Sequence, residues 1–179
     1  MKKILFSLLF CFPLIAFGQF GLEVGYSSFY SDLGFEDTEA ENFGGFYGQA
    51  NFKTGDLVFN LGADITAYSE DVQGFTSTVA VVILRVGMQY SIAINDSFSL
   101  NPGLKIGSYG IGYDYNGTTI AEGHLGIGIG LDAVYMFTEN IGVNIGIDNN
   151  ILFEGEFDDG SSVDGFSGLS IRPGLKFYF

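Results

Sequence analysis

Arg172-Pro173-Gly174-Leu175-Lys176-Phe177-Tyr178-Phe179 closes the chain. Arg172, Gly174, Lys176 and Tyr178 alternate with Pro173, Leu175, Phe177 and Phe179, the two-residue period of a β-strand with one polar and one apolar face. A soluble protein gains little by ending on two phenylalanines opposite two cations. A strand that closes a membrane barrel uses both faces, one against lipid and the other against a polar lumen.

The same alternation recurs upstream. Ile141, Val143, Ile145 and Ile147 oppose Gly142, Asn144, Gly146 and Asp148, and Leu125, Ile127, Ile129 and Leu131 oppose Gly126, Gly128, Gly130 and Asp132. Leu57, Phe59, Leu61, Ala63 and Ile65 likewise oppose Asn60, Gly62, Asp64 and Thr66. The pattern predicts eight strands, approximately 20–30, 43–53, 57–69, 77–92, 98–113, 120–137, 141–153 and 166–179. The alternation loses its phase near Ser108, which suggests a bulge there, and residues 79–83 are apolar on both faces. Short turn signals, Thr54-Gly55-Asp56, Asn95-Asp96-Ser97 and Thr138-Glu139-Asn140, alternate with longer polar segments at 31–42, 70–76, 114–119 and 154–165. Short periplasmic turns alternating with longer external loops are the asymmetry of a transmembrane barrel. The predicted fold is therefore all-β, an eight-stranded antiparallel up-and-down transmembrane β-barrel over residues 19–179, with both termini on the periplasmic side.

In its final strand the chain resembles the small bacterial outer-membrane β-barrel family, the porin-like barrels. Arg172, Gly174, Phe177 and Phe179 fill that family's polar, glycine, apolar and terminal aromatic places. The resemblance implies that this segment is read as an assembly signal by the barrel-assembly machinery. It also implies that the protein resides in the cell outer membrane among outer-membrane lipid.

The amino terminus agrees with export. Lys2 and Lys3 precede an apolar run from Ile4 to Phe17, followed by small residues around Ala16-Phe17-Gly18, the layout of a cleaved secretory signal over residues 1–18. The run is too short for the ~20 residues of a membrane-spanning helix. Cys11, the only cysteine, lies inside it behind Phe10, a poor lipidation context, so the mature chain has no thiolate chemistry. The 27 glycines, 19 phenylalanines and 10 tyrosines suit short strands with an aromatic exterior. Phe52, Tyr90, Phe98, Phe137 and Phe179 are expected to form the girdle near the short turns.

Every basic residue of the mature chain, Lys53, Arg85, Lys105, Arg172 and Lys176, falls on an inward face together with Glu23, Asp64, Asp132 and Asp148. In a barrel just wide enough for side chains to fill, these nine residues form a candidate lumen charge network that sets register and plugs the pore. The competing reading is a charged binding site or a conduction path. Inward glycines on the sixth strand would make room for long side chains.

The loops instead collect acids: Asp32, Glu36, Asp37, Glu39, Glu41, Glu70, Asp71, Asp114, Glu122, Glu154, Glu156, Asp158, Asp159 and Asp164. Such a mouth repels nucleic acid and attracts divalent cations or a basic partner, or else it is a solvated surface. The segment 158–164 lacks EF-hand ligand order, so no metal site and no cofactor are expected. His124, the only histidine, is predicted on the lumen side near the outer rim, with Ser108 or Ser170 as conceivable neighbours. It is the one residue on which a lipid-modifying barrel enzyme would depend. Gly107-x-x-Gly110-x-Gly112 and Gly126-x-Gly128-x-Gly130 lie within strands and cannot act as nucleotide loops. Asn116-Gly117-Thr118 reads as a loop turn.

These features point to a non-enzymatic barrel with a structural or surface-interaction role. A narrow porin-like channel or small-ligand carrier is the first alternative and a lipid-modifying enzyme the second. Intact-mass analysis of protein from outer membranes is expected to give a mature chain beginning at Gln19; retention of residues 1–18 would refute cleavage.

Overall fold

The computed structural model describes residues 18–31, 41–72, 75–115 and 118–179. The signal segment and the acids at 32–40 lie outside them, as do the side chains of Glu41, Glu70 and Asp71. Eight long strands build the fold: β1 (Gln19–Ser31), β2 (Glu41–Thr54), β3 (Leu57–Val72), β4 (Phe75–Tyr90), β5 (Phe98–Tyr115), β6 (Thr118–Met136), β7 (Ile141–Leu152) and β8 (Ser167–Tyr178). Each pairs antiparallel with the next, and β8 pairs with β1, so the sheet closes.

Closure comes with a stagger. The paired residues run Phe29, Ser170, Asp148, Gly130, Gly103, Gln89, Val58, Lys53 and Gln19, so one circuit returns to β1 ten residues from its start, at 19 instead of 29. Stagger and strand number together set the tilt, about 35–45° in barrels, and leave an interior only as wide as packed side chains.

The three tight turns have local causes. Gly55 takes a φ of 59°, a left-handed conformation that favours glycine. Asn95 Oδ1 accepts the backbone N–H groups of Ser97 and Phe98 at 3.0 and 2.9 Å. Thr138 Oγ1 accepts those of Asn140 and Ile141 at 3.2 and 3.1 Å. Side chains that bond their own turn in this way pre-form the reversal.

β5 has no bulge at Ser108. Its pairing with β4 runs unbroken from Ser77↔Tyr115 to Gln89↔Gly103, and with β6 from Phe98↔Tyr135 to Tyr115↔Thr118. Ser108 faces outward while Tyr109 and Ile111 are buried inside. What changes at this level is the chemistry of the lumen, and the strand keeps its period. The same change accounts for residues 79–83, since Val81 and Ile83 are buried in the lumen and Val82 is exposed on the outer face. Beyond the eight strands, Ile92–Ala93 extends one short turn by pairing with Leu100 and Ser99. The last long connection folds back as a small ribbon of Gly155–Phe157 and Ser162–Val163 that pairs onto β6.

Outside, Leu61, Ile65, Leu84, Ile106, Leu125 and Ile129 are each more than half exposed, an apolar surface that only lipid satisfies. At the short-turn end Phe20 packs on Phe52 and Phe179 at ring-centroid distances of 5.2 and 6.1 Å. Along the β1–β8 seam, aromatic rings cover glycines. A Cβ at Gly21 would meet the Tyr178 ring, one at Gly168 the Phe29 ring, and one at Gly25 or Gly174 the Tyr47 ring. Such rings shield backbone that has no side chain of its own. Phe179 N–H donates to Phe20 O at 2.8 Å, and Tyr178 N–H to Asn140 O at 2.9 Å, so the last two residues tie the seam to both its neighbours. Deleting Phe179 is expected to lower the amount of barrel in the outer membrane several-fold, whereas deleting Asp159 leaves it unchanged. Equal levels on heat-modifiable gels would refute this.

Candidate functional site in the barrel lumen

Inward residues from every strand meet in three storeys. The middle storey is charged. Asp148 on β7 receives Lys105 Nζ at 2.6 and 2.9 Å and also contacts Arg172 Nη2. Asp132 on β6 lies 3.8 Å from Lys105 and 3.9 Å from Arg172, and it accepts Gln89 Nε2 at 2.7 Å. Asp64 on β3 holds Arg85 Nη1 at 2.6 Å and accepts the Ser27 hydroxyl at 3.0 Å. Glu23 on β1 lies 3.2 Å from Lys176 Nζ, and its other oxygen accepts Tyr47 at 2.9 Å and Asn144 at 2.7 Å.

Four carboxylates therefore face four cations, all at least 95% buried. Isolated buried charges cost several kcal/mol each, and only close, hydrogen-bonded pairing offsets this. Lys53 stands apart from the network. It is half-buried at the short-turn mouth, and none of the ion pairs among the described residues includes it.

Glycines make the network sterically possible. A Cβ at Gly130 would strike the Asp148 carboxylate, and one at Gly146 would meet Asp132 and Arg172. Gly62 lies against Arg85, Gly87 against Lys105 and Asn60, and Gly128 against Asn150. The inward glycines of β6 thus sit beside long polar side chains of adjoining strands. Some buried polar atoms, among them both side-chain atoms of Asn60 and Nε of Arg85 and Arg172, have no protein partner, and in polar interiors ordered water serves such groups.

The storey toward the long loops is apolar: Phe29, Phe43, Val81, Ile83, Ile111 and Phe166 pack together with Tyr109 and Leu152. At its lower edge it turns polar, where the Tyr109 hydroxyl donates to Asn150 Oδ1 at 2.9 Å and Asn150 Nδ2 donates to the Ser170 hydroxyl, also at 2.9 Å. At the opposite end Val58, Val134 and Tyr178 are buried below the charges.

His124 is buried at the rim of the apolar storey. Neither serine proposed from the sequence is its partner: Ser170 bonds Asn150, and Ser108 faces outward. Its Nδ1 lies 2.9 Å from Phe153 O, its Nε2 lies 3.3 Å from Glu122 Oε1, and its ring packs edge-on against Phe166 at 5.1 Å. Glu122, read from the sequence as a loop acid, is instead 5% exposed inside the barrel and accepts the Tyr113 hydroxyl at 2.9 Å. The signal that could have found it is its spacing of two from His124, which puts both on one face. Tyr47 was also missed. No charge marks it, yet it joins Glu23 to the glycine seam, with Arg172 over its ring at 5.6 Å.

A closed eight-stranded barrel with an apolar exterior and a charge-balanced interior defines an integral outer-membrane β-barrel protein. The chain belongs to the outer membrane protein beta-barrel domain family, whose model matches residues 8–177. Comparison with curated proteins gives no significant match. Among solved structures it is similar to Neisserial surface protein A, at 12% identity, TM-score 0.72 and coverage of 89% of this chain and 97% of the other. It is also similar to Ail, the attachment invasion locus protein of Yersinia pestis, at 13% identity, TM-score 0.63 and coverage of 90% and 99%. OprG of Pseudomonas aeruginosa gives 14% identity, TM-score 0.63 and coverage of 90% and 96%. At these identities the likeness is one of fold.

Asp148 is the junction of the network, so Asp148→Asn leaves Lys105 and Arg172 under-compensated. Breaking a buried pair costs about 3–5 kcal/mol, and a stability loss of that size is expected in urea unfolding of the lipid-reconstituted barrel. Lys53→Gln is expected to change it by less than about 0.5 kcal/mol, the usual range for surface positions.

Proposed function

We propose that this outer-membrane barrel is a non-conducting, non-enzymatic surface-interaction protein whose working end is the acidic long-loop mouth. The observation that carries this reading is the stacking of an apolar storey on a neutralised ion-pair storey across the whole lumen. A porin-like channel or small-ligand carrier needs a continuous wet path, and Phe29, Phe43, Ile83 and Ile111 stand where it would run. A lipid-modifying enzyme would need His124 open to a substrate, and the ring is buried with its Nδ1 2.9 Å from Phe153 O.

The described acids at the mouth, Asp114, Glu154, Glu156, Asp158, Asp159 and Asp164, are exposed. Asp159 accepts the Ser161 N–H at 2.9 Å and its hydroxyl at 2.6 Å, which hold its carboxyl below the usual carboxylate range. A surface of this sign suits divalent cations or a basic partner. Ail has been crystallised with the heparin analogue sucrose octasulfate, a polyanion that the acids on this chain would repel.

Planar-bilayer recording is expected to show no current above the lipid background, and steady single-channel steps would overturn the closed-lumen reading. Binding of a cationic peptide to nanodisc-held protein is expected to weaken at least tenfold when Glu156, Asp158 and Asp159 are replaced together by Gln, Asn and Asn. An unchanged affinity would remove the loops from the interaction.

A further inference from the structure

The other opening of the lumen, at the short turns, is built differently from the long-loop mouth. A cavity of about 520 Å³ occupies it, lined in part by Lys53, Asp96, Ser97, Glu139 and Tyr178, a size within the roughly 300–1,000 Å³ of small-molecule sites. Lys53 extends from β2 and is half-buried, while Asp96 and Glu139 are exposed on the turns that follow β4 and β6. In the storey above, every buried cation is paired with a carboxylate. Here a cation and two carboxylates line one cavity, and none of the ion pairs among the described residues joins them.

The frame that carries these charges is fixed. The Asn95 and Thr138 side chains close their own turns. Met136 N–H donates to Ser97 O at 2.8 Å and ties the two turns together, and Asn140 Nδ2 donates to Tyr178 O at 2.8 Å and ties the second to β8. Lys53 pairs in register with Gln19 of β1 and Val58 of β3. In a closed circuit of eight strands β2 stands four strands from β6, so the positive and negative walls lie on opposite sides of the opening. The expected cleavage before Gln19 would set the α-ammonium of the mature chain on the Lys53 side.

We propose that the short-turn mouth is a binding site for a short zwitterionic peptide, its carboxylate on Lys53 and its ammonium at Asp96 and Glu139. A simple anion entering here meets two carboxylates, and a simple cation meets Lys53. A ligand with one charge of each sign, separated by its own length, complements both walls. Tyr178, 8% exposed, lines the same cavity with Met136 and gives small side chains an apolar surface. Val58 and Val134 are buried in the lumen beyond, so the peptide enters and leaves on the periplasmic side, where barrels carry their short turns, and it does not cross the barrel. A frame tied before the ligand arrives adds little ordering cost to binding. The site lies at the opposite end from the acidic loops and requires no partner there.

The test uses the mature protein in nanodiscs of phosphatidylglycerol, whose headgroup carries no ammonium, with heat-modifiable migration confirming a closed barrel for each variant. The probes are tri-alanine, its N-acetyl form and its C-terminal amide. Tri-alanine should bind most tightly and shift the Ser97, Thr138 and Tyr178 amide signals in NMR spectra, while those of Asp159 and Ser161 stay fixed. Removing either end charge should weaken binding about tenfold, the range for a lost hydrogen bond between charged groups. Lys53→Gln should weaken tri-alanine by a similar factor and leave the amide unchanged. Asp96→Asn combined with Glu139→Gln should weaken tri-alanine and leave the acetyl form unchanged. Absence of binding, equal affinity for the three probes, or a Lys53→Gln effect that is the same on all three would overturn the site. Neutralising Glu156, Asp158 and Asp159 should leave every affinity unchanged; weaker tri-alanine binding there would move the peptide to the long loops and overturn the assignment. Failure of the cationic peptide to bind those loops would leave these readouts untouched, so the two readings fail separately.

Discussion

Everything in this barrel depends on neutralising charge in a narrow space. Eight strands with a ten-residue stagger enclose too little volume for a water column that could screen buried ions, so each inward cation needs a carboxylate within reach. Pairing alone does not suffice, because an arginine and an aspartate on neighbouring strands also need room. That room comes from the glycines at 62, 87, 128, 130 and 146, set beside the long side chains. Alternation of glycine with charge along β6 and β7 is thus a packing requirement of the lumen, and replacing a glycine would disturb an ion pair as surely as replacing an acid.

The network also constrains register. Lys105 reaches from β5 to Asp148 on β7, and Arg172 from β8 to Asp132 on β6, so these two contacts step over an intervening strand. A slip of one residue would turn the charges to lipid and the leucines inward, with several buried ions losing partners at once. The penalty is cooperative across strands distant in sequence, as a sheet that must close on itself requires. At the seam Tyr47 adds an unusual link, because its ring covers Gly25 on β1 and Gly174 on β8 while its hydroxyl bonds Glu23.

Alternation alone revealed eight strands, their faces and the inward charges, because period two survives wherever lipid and a polar lumen lie on opposite sides. It became ambiguous where the lumen itself turns apolar. At Ser108 to Ile111 and at 79–83 the sequence has apolar residues on the inner face, and hydropathy read as a proxy for direction suggests a broken phase where the backbone has none. Glu122 went astray for the complementary reason. An acid near the start of the predicted strand 120–137 looks like loop surface when hydropathy is read before parity, although its spacing of two from His124 puts both on the inner face. Lys53 shows the other limit, since parity gives a side chain's face and says nothing of its depth, and Lys53 sits at the mouth while Lys105 sits in the middle. Tyr47 carried no charge or motif, and only the three-dimensional seam reveals it.

Charge segregation links the interior to the exterior. The four network pairs cancel, so the excess of 21 acids over 7 bases in the sequence is not carried by them. Among the described residues, four of the five cations lie inside and the fifth, Lys53, sits at the short-turn mouth, so none neutralises the long loops. The electrostatics of the surface are therefore a consequence of how the core was stabilised. The long-loop end is acidic because the bases are committed to Asp64, Asp132, Asp148 and Glu23. The basic partner proposed for this mouth would thus answer a charge left by the packing of the lumen.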